Sequence, residues 1–255
     1  MRIHKDGQEI RSVDDWFKWA PPKRGALHWK DSRSAKELAK SWFRTDTAKA
    51  PTELATILAR SFGSEIDFEE GLPECTVELD DFDGETRNCD LVIICQRGTQ
   101  RIVVSVEGKA DEAFGDFTVG EYYDKKRHTR SNVPKRIEQL SNALFGRVPD
   151  EQIRRLRYQL LHSAAASLIA AKSHHAEIAV LLIHEFISPG LSHRKLKENS
   201  GDWEAFVRVF PQLTDAEVCR NKLLGPIFVP SGKYVPALPL YLGKVVTQLC
   251  PAEEA

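Results

Sequence analysis

No stretch of the 255-residue chain approaches the roughly 18 consecutive apolar residues that a membrane-crossing helix needs. The N-terminal MRIHKDGQEIRSVDD also lacks the apolar centre of a secretory signal. A soluble, unexported, cytoplasmic protein with no membrane partner is expected. Excess charge of one sign is missing too: 36 basic residues stand against 37 acidic ones, a formal charge of -1. That balance excludes a uniformly basic coat and a disordered polyelectrolyte, so nucleic-acid binding must come from a local patch. Cysteine is sparse and unpaired. Cys75, Cys89, Cys95, Cys219 and Cys250 form an odd set with no CxxC, and neither a disulfide framework nor a cysteine zinc site is expected. The phosphate loop GxxxxGK[ST], the dinucleotide signature GxGxxG and the nucleophile elbow GxSxG are absent. His184-Glu185 fails HExxH because Ser188 stands at the fifth position, and His174-His175 reads as a polar helix end.

What is present is the balance of a globular chain, 42% hydrophobic and 29% charged. At about 150 residues per domain the length allows one large domain or two small ones. Asp14 to Trp19 reads as a short helix ended by Pro21-Pro22. Ser34 and Glu37 can form a capping box in front of a second helix. A third follows Pro51, with Leu54, Ile57, Leu58 and Phe62 at helical spacing. From Glu74 the period becomes extended: Cys75 to Leu79, a turn at Asp80-Asp81-Phe82-Asp83-Gly84, Asn88 to Gln96, a tight Arg97 to Gln100 connection, then Arg101 to Glu107. Pro134 to Phe145 is expected as a helix stopped by Gly146, and Asp150 as the cap of a long helix running to about Lys172. The apolar run Ile178 to Ile183 has the pattern of a strand covered on both faces. Later elements are expected at Asp202 to Phe210, Ile227 to Val229 and Leu240 to Val246. The fold class is α/β, a mixed α+β three-layer arrangement with helix, three strands, helix, strand around a mixed central sheet.

With Gly98-Thr99 as a two-residue turn, opposed positions of the second hairpin sum to 197, which sets Asp90 against Glu107. Two carboxylates roughly 5 Å apart repel unless something compensates, and a divalent cation is one such compensation. Lys109 lies two residues beyond Glu107 and shares its face. Carboxylate, water and backbone carbonyl oxygens suit Mg²⁺, or Mn²⁺ in its place. A metal there polarises a phosphoryl oxygen and acidifies bound water, while a lysine stabilises developing charge. The other reading is a strand end whose charges are simply solvated.

Asp90 followed, on the next strand, by Glu107-Gly108-Lys109, within a helix, three strands, helix, strand order, resembles the PD-(D/E)XK nuclease superfamily, the restriction-endonuclease-like fold. The resemblance covers roughly Pro51 to Glu185. The blocks from His28-Trp29-Lys30 to Trp42 and from Val106 to Gly115 are also similar to an uncharacterised bacterial family assigned to that superfamily. It implies metal ligation by Asp90 and Glu107 and a catalytic role for Lys109. It further implies an acid on the first helix, matched best by Glu53 with Glu37 behind it, and a glutamine after the lysine strand, matched by Gln159. One departure is Cys89, where the superfamily loosely keeps a proline. The triplet acid-x-Lys alone says little, since it also occurs at Asp124 and composition alone supplies about as many. On this reading the chain is a single domain over 1–255, with a nuclease-like core at about 51–187, an N-terminal helical extension 1–50 and a C-terminal α/β extension 188–255.

Glu121 to Arg157 holds ten Lys/Arg and five Asp/Glu, with Tyr122 and Tyr123 beside Lys125, Lys126, Arg127 and Arg130. Such a basic, aromatic stretch can follow a phosphate backbone. Conversely, Glu65 to Asp90 holds eleven acids and Arg87 as the lone base. The expected function is a Mg²⁺-dependent nuclease acting on DNA. The alternatives are a non-catalytic module on the same fold that binds nucleic acid or protein, and a partner-assembly protein; a homodimer is left open.

Overall fold

In the structure, a computed structural model, residues 1–82, 86–190, 192–213 and 222–250 are described. Cys219 and the Asp83-Gly84 half of the expected turn lie outside them. In chain order the elements are β1 (Arg2–Lys5), β2 (Gln8–Ile10), α1 (Val13–Trp19), α2 (Ser34–Trp42), α3 (Thr52–Phe62), β3 (Asp67–Val77), β4 (Arg87–Arg97), β5 (Gln100–Lys109), α4 (Val119–Lys126), α5 (Val133–Phe145), α6 (Glu151–Arg154), α7 (Tyr158–Ser173), β6 (Ile178–Ile187), α8 (His193–Val207), β7 (Leu224–Phe228) and β8 (Pro239–Gln248). The strands make one mixed sheet in the order β2-β1-β3-β4-β5-β6-β8-β7. The meander β3-β4-β5 is antiparallel, and β6 returns parallel to β5 after α7. One face packs on α1, α2 and α3 through Trp16, Leu38, Trp42, Leu54, Ile57 and Leu58. The other packs on α4 to α8 through Val119, Ile137, Leu140, Ile153, Leu160, Ala164 and Phe206. This is the three-layer mixed α/β fold that the two periodicities require. Among the described residues no helix is long and apolar enough to cross a membrane.

Several elements depart from expectation for physical reasons. Residues 1–50 are not only helical, because β1 and β2 form a hairpin that joins the sheet beside β3. Strands of four and three residues carry no periodicity, but Asp6-Gly7 at φ 48° and 80° is the turn pair that favours hairpins. Ser34 does not cap α2: Arg33 holds that position without a side-chain cap, Ser34 Oγ donates to Glu112, and Glu37 accepts the Ser32 N–H at 2.8 Å. β3 begins at Asp67, well before the expected Cys75, and Gly71 lets it lie close to Met1 and Ile3. The polar segment after β5 contains α4, closed by a Thr118–Glu121 capping box.

The expected long helix is broken in two. Asp150 caps only α6, and the chain then turns extended at Arg157 to bridge Thr118, with Val119 N–H donating to Leu156 O at 2.8 Å and Tyr158 N–H to Phe117 O at 3.1 Å. That interruption starts α7 at Tyr158, which sets Gln159 and Ser163 against β5.

Candidate active site

The predicted register is observed from Leu91↔Val106 to Arg97↔Gln100. At the next step β4 changes face. Leu91, Ile93 and Cys95 pack toward α1–α3, Val92 and Ile94 toward α7, and Cys89 joins the α7 side although strict alternation assigns it to the other. Asp90, at the point of the change, does not continue the ladder opposite Glu107. Its Oδ2 accepts the backbone N–H of Gly108 at 2.8 Å. The acid still reaches the Glu107-Gly108-Lys109 strand, through the backbone between the two charged residues.

Glu107 is 3% exposed and fully engaged. Oε1 receives Gln159 Nε2 and lies 3.3 Å from Lys109 Nζ. Oε2 takes an ion pair from Arg87 Nη2 and a hydrogen bond from Ser163 Oγ at 3.4 Å. Lys109, also buried, lies over the Phe114 ring at 5.5 Å. A buried carboxylate left alone would cost several kcal/mol; here two cations and two neutral donors share it. The structure thus supplies from within the chain the positive charge that the sequence reading assigned to a metal. Arg87 was the residue missed, and its signal was its isolation as the only base among the acids of 65–90.

A cleft of about 920 Å³ opens beside this group. Its lining includes Glu74, Arg87, Asp90 and His162, together with Trp16, Trp29 and Arg33 and with Tyr122, Arg136 and Tyr158. Glu107 lies behind Arg87 and is not part of the lining. Burial pushes the Asp90 carboxyl up, and Glu107 adds to the push against Arg87 and Lys109. Burial also works to raise Glu107, yet Arg87 and Lys109 outweigh it and hold this carboxylate below its ordinary range. Glu74 is raised by burial. His162 is held neutral, first by burial and then by the charges of Arg87, Lys109 and Arg136. Its Nδ1, Arg87 Nε and Gln159 Oε1 are buried without hydrogen-bond partners, a concentration of unspent polar groups that marks a site built for a ligand or solvent. Cys89, in the place of the loosely kept proline, is a buried thiol pushed up to about 12 by burial and is chemically quiet.

Gln159 is therefore brought to Asp90, Glu107 and Lys109, whereas Glu53 is not. The Glu53 carboxylate pairs with Arg44 at 2.8 Å and His184 Nε2 at 3.3 Å and accepts from Thr247 Oγ1, at the C-terminal ends of β6 and β8. Glu53 is thus committed one strand beyond β5, where His184 stands in register beside Gly108, and it neither bonds Asp90, Glu107 or Lys109 nor lines the cleft, which corrects its assignment to the site. Glu37 is committed to Ser32 and Lys40. Of the six residues singled out in the basic segment only Tyr122 lines the cleft, stacked on Phe117, although Arg136 of the same segment lines it too. Tyr123 is turned to α5, donating to Glu138 at 2.7 Å, and Lys125 covers Phe117 at 4.3 Å. Arg127 pairs with Asp124 at 3.7 Å, while Lys126 and Arg130 lie outside the lining, Arg130 exposed.

Among the described residues no three or more His, Cys, Asp and Glu side chains gather as a metal cluster. A divalent ion would rely on Asp90, Glu107, a backbone carbonyl and water, a hard-oxygen set that fits Mg²⁺ or Mn²⁺. Asp90 is raised first by burial and then by Glu107, and a cation beside the two carboxylates would oppose both effects. No curated protein and no solved structure matches the chain. A family model described as a domain of unknown function (DUF6946) matches residues 9–249.

Proposed function

The chain belongs to the DUF6946 family, whose description carries no activity, and from its site alone we propose a metal-dependent nuclease of the PD-(D/E)XK type that hydrolyses phosphodiester bonds, with DNA as substrate. The observation that carries this reading is the convergence of Asp90, Glu107, Lys109 and Gln159 from β4, β5 and α7 beside one cleft. Asp90 and Glu107 would hold Mg²⁺ or Mn²⁺. Bound there, the ion supplies polarisation of a phosphoryl oxygen and a more acidic water. Lys109, held against Glu107, adds positive charge where the attacking oxygen and the phosphorane develop negative charge. Gln159 fixes the rotamer of Glu107 and leaves its own Oε1 free to orient water. Tyr122 and Trp29 offer rings in the cleft lining, and the basic residues Lys126 and Arg130, outside that lining, would meet a polymer backbone. A cytoplasmic, reducing setting suits Cys75, Cys89, Cys95 and Cys250, all free thiols.

One observation favours the second reading, a non-catalytic module that binds nucleic acid or protein: both oxygens of Glu107 are already satisfied from within the chain. The deciding experiment is cleavage of supercoiled, linear and single-stranded DNA and of RNA with Mg²⁺ or Mn²⁺ against EDTA. Asp90→Ala and Lys109→Ala are run in parallel. Metal-dependent cutting lost in both variants is the expected result. Binding without cutting, indifferent to chelator, selects the module instead.

A further inference from the structure

Arg87 closes the acidic site from the cleft side. Its Nη2 pairs with Glu107 Oε2 and donates to Ser163 Oγ at 3.2 Å, and its side chain is 16% exposed. The same guanidinium lines the cleft while Glu107 does not, and its Nε is buried without a partner. Glu107 Oε2 also receives Ser163, and Oε1 receives Gln159 and Lys109. The acceptor capacity of this carboxylate is therefore taken up.

A divalent ion seated on Glu107 would meet a guanidinium already bound to the same oxygen, and two cations on one buried oxygen repel strongly in a site of reduced dielectric. Of the four donors, Arg87 is the one placed to leave. Lys109 is boxed in beneath Phe114 and belongs to β5 itself, and Gln159 and Ser163 are neutral and coexist with an ion. Arg87 has the cleft of about 920 Å³ in front of it, so a guanidinium withdrawn from Glu107 passes to a polar, open space and not into apolar core.

We propose that Arg87 is the internal counter-ion of the metal-free site, and that a divalent cation binds by displacing its guanidinium from Glu107 into the cleft. This rests on the metal-dependent reading of the Asp90–Glu107 pair. It makes the metal-free chain stable without a cluster of exposed acids, and it makes ion binding weaker than the two carboxylates alone would give, by the work of moving Arg87.

The test is Mn²⁺ binding to the full chain, followed by electron paramagnetic resonance of free ion, in the wild type, Arg87→Met and Arg87→Lys. Arg87→Met keeps the bulk and removes the competitor. It is expected to bind Mn²⁺ about tenfold tighter or more, to melt lower than wild type without metal, and to gain more in melting temperature on Mn²⁺ addition. Arg87→Lys, which keeps the charge, is expected between the two. Equal Mn²⁺ affinity in wild type and Arg87→Met overturns displacement while leaving the metal site standing. Absence of Mn²⁺ binding in both overturns the metal reading and this inference with it. Should Arg87→Met fail to fold, the wild type carries the test, with Arg87→Lys used only for assignment: the Nε–H resonance of Arg87 is expected to shift as Mg²⁺ saturates, and a signal that does not move overturns the proposal.

Discussion

Lys109 Nζ lies 3.3 Å from Glu107 Oε1, and both side chains are buried at the end of the same strand. Two residues apart on one face, they form a pair that the strand itself presents, and the pair leaves the rest of Glu107 to donors from β4 and α7. Removing the lysine does not strand the acid, since Arg87, Gln159 and Ser163 remain. Lys109→Met is therefore expected to cost about 1–3 kcal/mol, less than the ~3–5 kcal/mol of a buried charge left alone. If the nuclease reading holds, it also lowers cleavage by about 10²–10³. Chemical denaturation and a cleavage time course on the same preparation separate the two effects. A variant that cuts at the wild-type rate removes Lys109 from the mechanism.

Asp90 gives a pH signature with a definite sign. Burial and Glu107 raise its folded pKa above that of the unfolded chain, so ionising it works against the fold. The contribution is harmless at acid pH, where the group is protonated in both states, and becomes a growing penalty as pH climbs toward the folded value. Asp90→Asn is expected to match wild type at acid pH and to melt about 2–4 °C higher at alkaline pH in EDTA. Calorimetry across the range decides it, and a difference that does not change with pH would contradict the assignment.

A separate polar knot sits one strand over, where His184 of β6 stands in register beside Gly108. His184 is fully buried and its pKa is lowered by burial, against the opposing pull of Glu53. Glu53 is lowered by its bonds to His184, Arg44 and Thr247, which overcome burial. The unfolded histidine takes a proton below about 6.5 and the folded one resists, so this term is present above that pH and lost as the medium acidifies. His184→Gln is expected to flatten the fall in stability between roughly pH 6.5 and 5. Glu53→Gln is expected to lower stability by about 1–3 kcal/mol while cleavage stays within about twofold. Loss of cleavage with stability intact would return Glu53 to the site.

The difference between Glu53 and Gln159 shows what the chain disclosed in advance. The meander register was readable because one glycine-first turn fixes every pair behind it, and Gly98 adopts the required left-handed φ of 56°. The apolar stripe of α3 placed its helix correctly, yet a stripe says which face is buried and not which strand it covers, and α3 lies on β8. Gln159 reached the site only because α6 and α7 are separate. The Thr118–Arg157 bridge that parts them joins residues distant in sequence, with no local pattern to announce it. Arg87 was visible as an anomaly of charge, but its partner Glu107 follows from the change of face at Asp90, which alternation alone does not contain.

Gln159 offers a test free of folding ambiguity. Its Nε2 bonds Glu107 and its Oε1 is buried without a partner. Gln159→Ala leaves Glu107 three other donors, so stability is expected to change by about 1 kcal/mol or less. Positioning of Glu107 is lost, and cleavage should fall by about 10–100-fold with KM nearly unchanged. Gln159→Glu, which sets a second charge beside Glu107, is expected to be worse than Ala. Equal activity of all three forms would leave the glutamine a packing residue.

The basic segment makes a prediction about salt and not about chemistry. The first turn of α4 is tied down by the Thr118–Glu121 box, and Lys125 is held over Phe117, so truncating Lys125 would disturb packing as well as charge. Lys126 and Arg130 are outside the cleft, with Arg130 exposed, and the double variant Lys126→Ala/Arg130→Ala is expected to leave the melting temperature within about 2 °C. Each cation that neutralises a phosphate releases condensed counter-ions. Losing both should therefore reduce the slope of log K against log salt by about 1.8 on duplex DNA, or about 1.4 on a single strand. Fluorescence anisotropy in Ca²⁺ or EDTA, from low to moderate salt, measures that slope without cleavage. The size of the drop tells duplex from single strand, and an unchanged slope would mean that the polymer leaves the cleft along another face, past Arg33 and Lys23, which also line it.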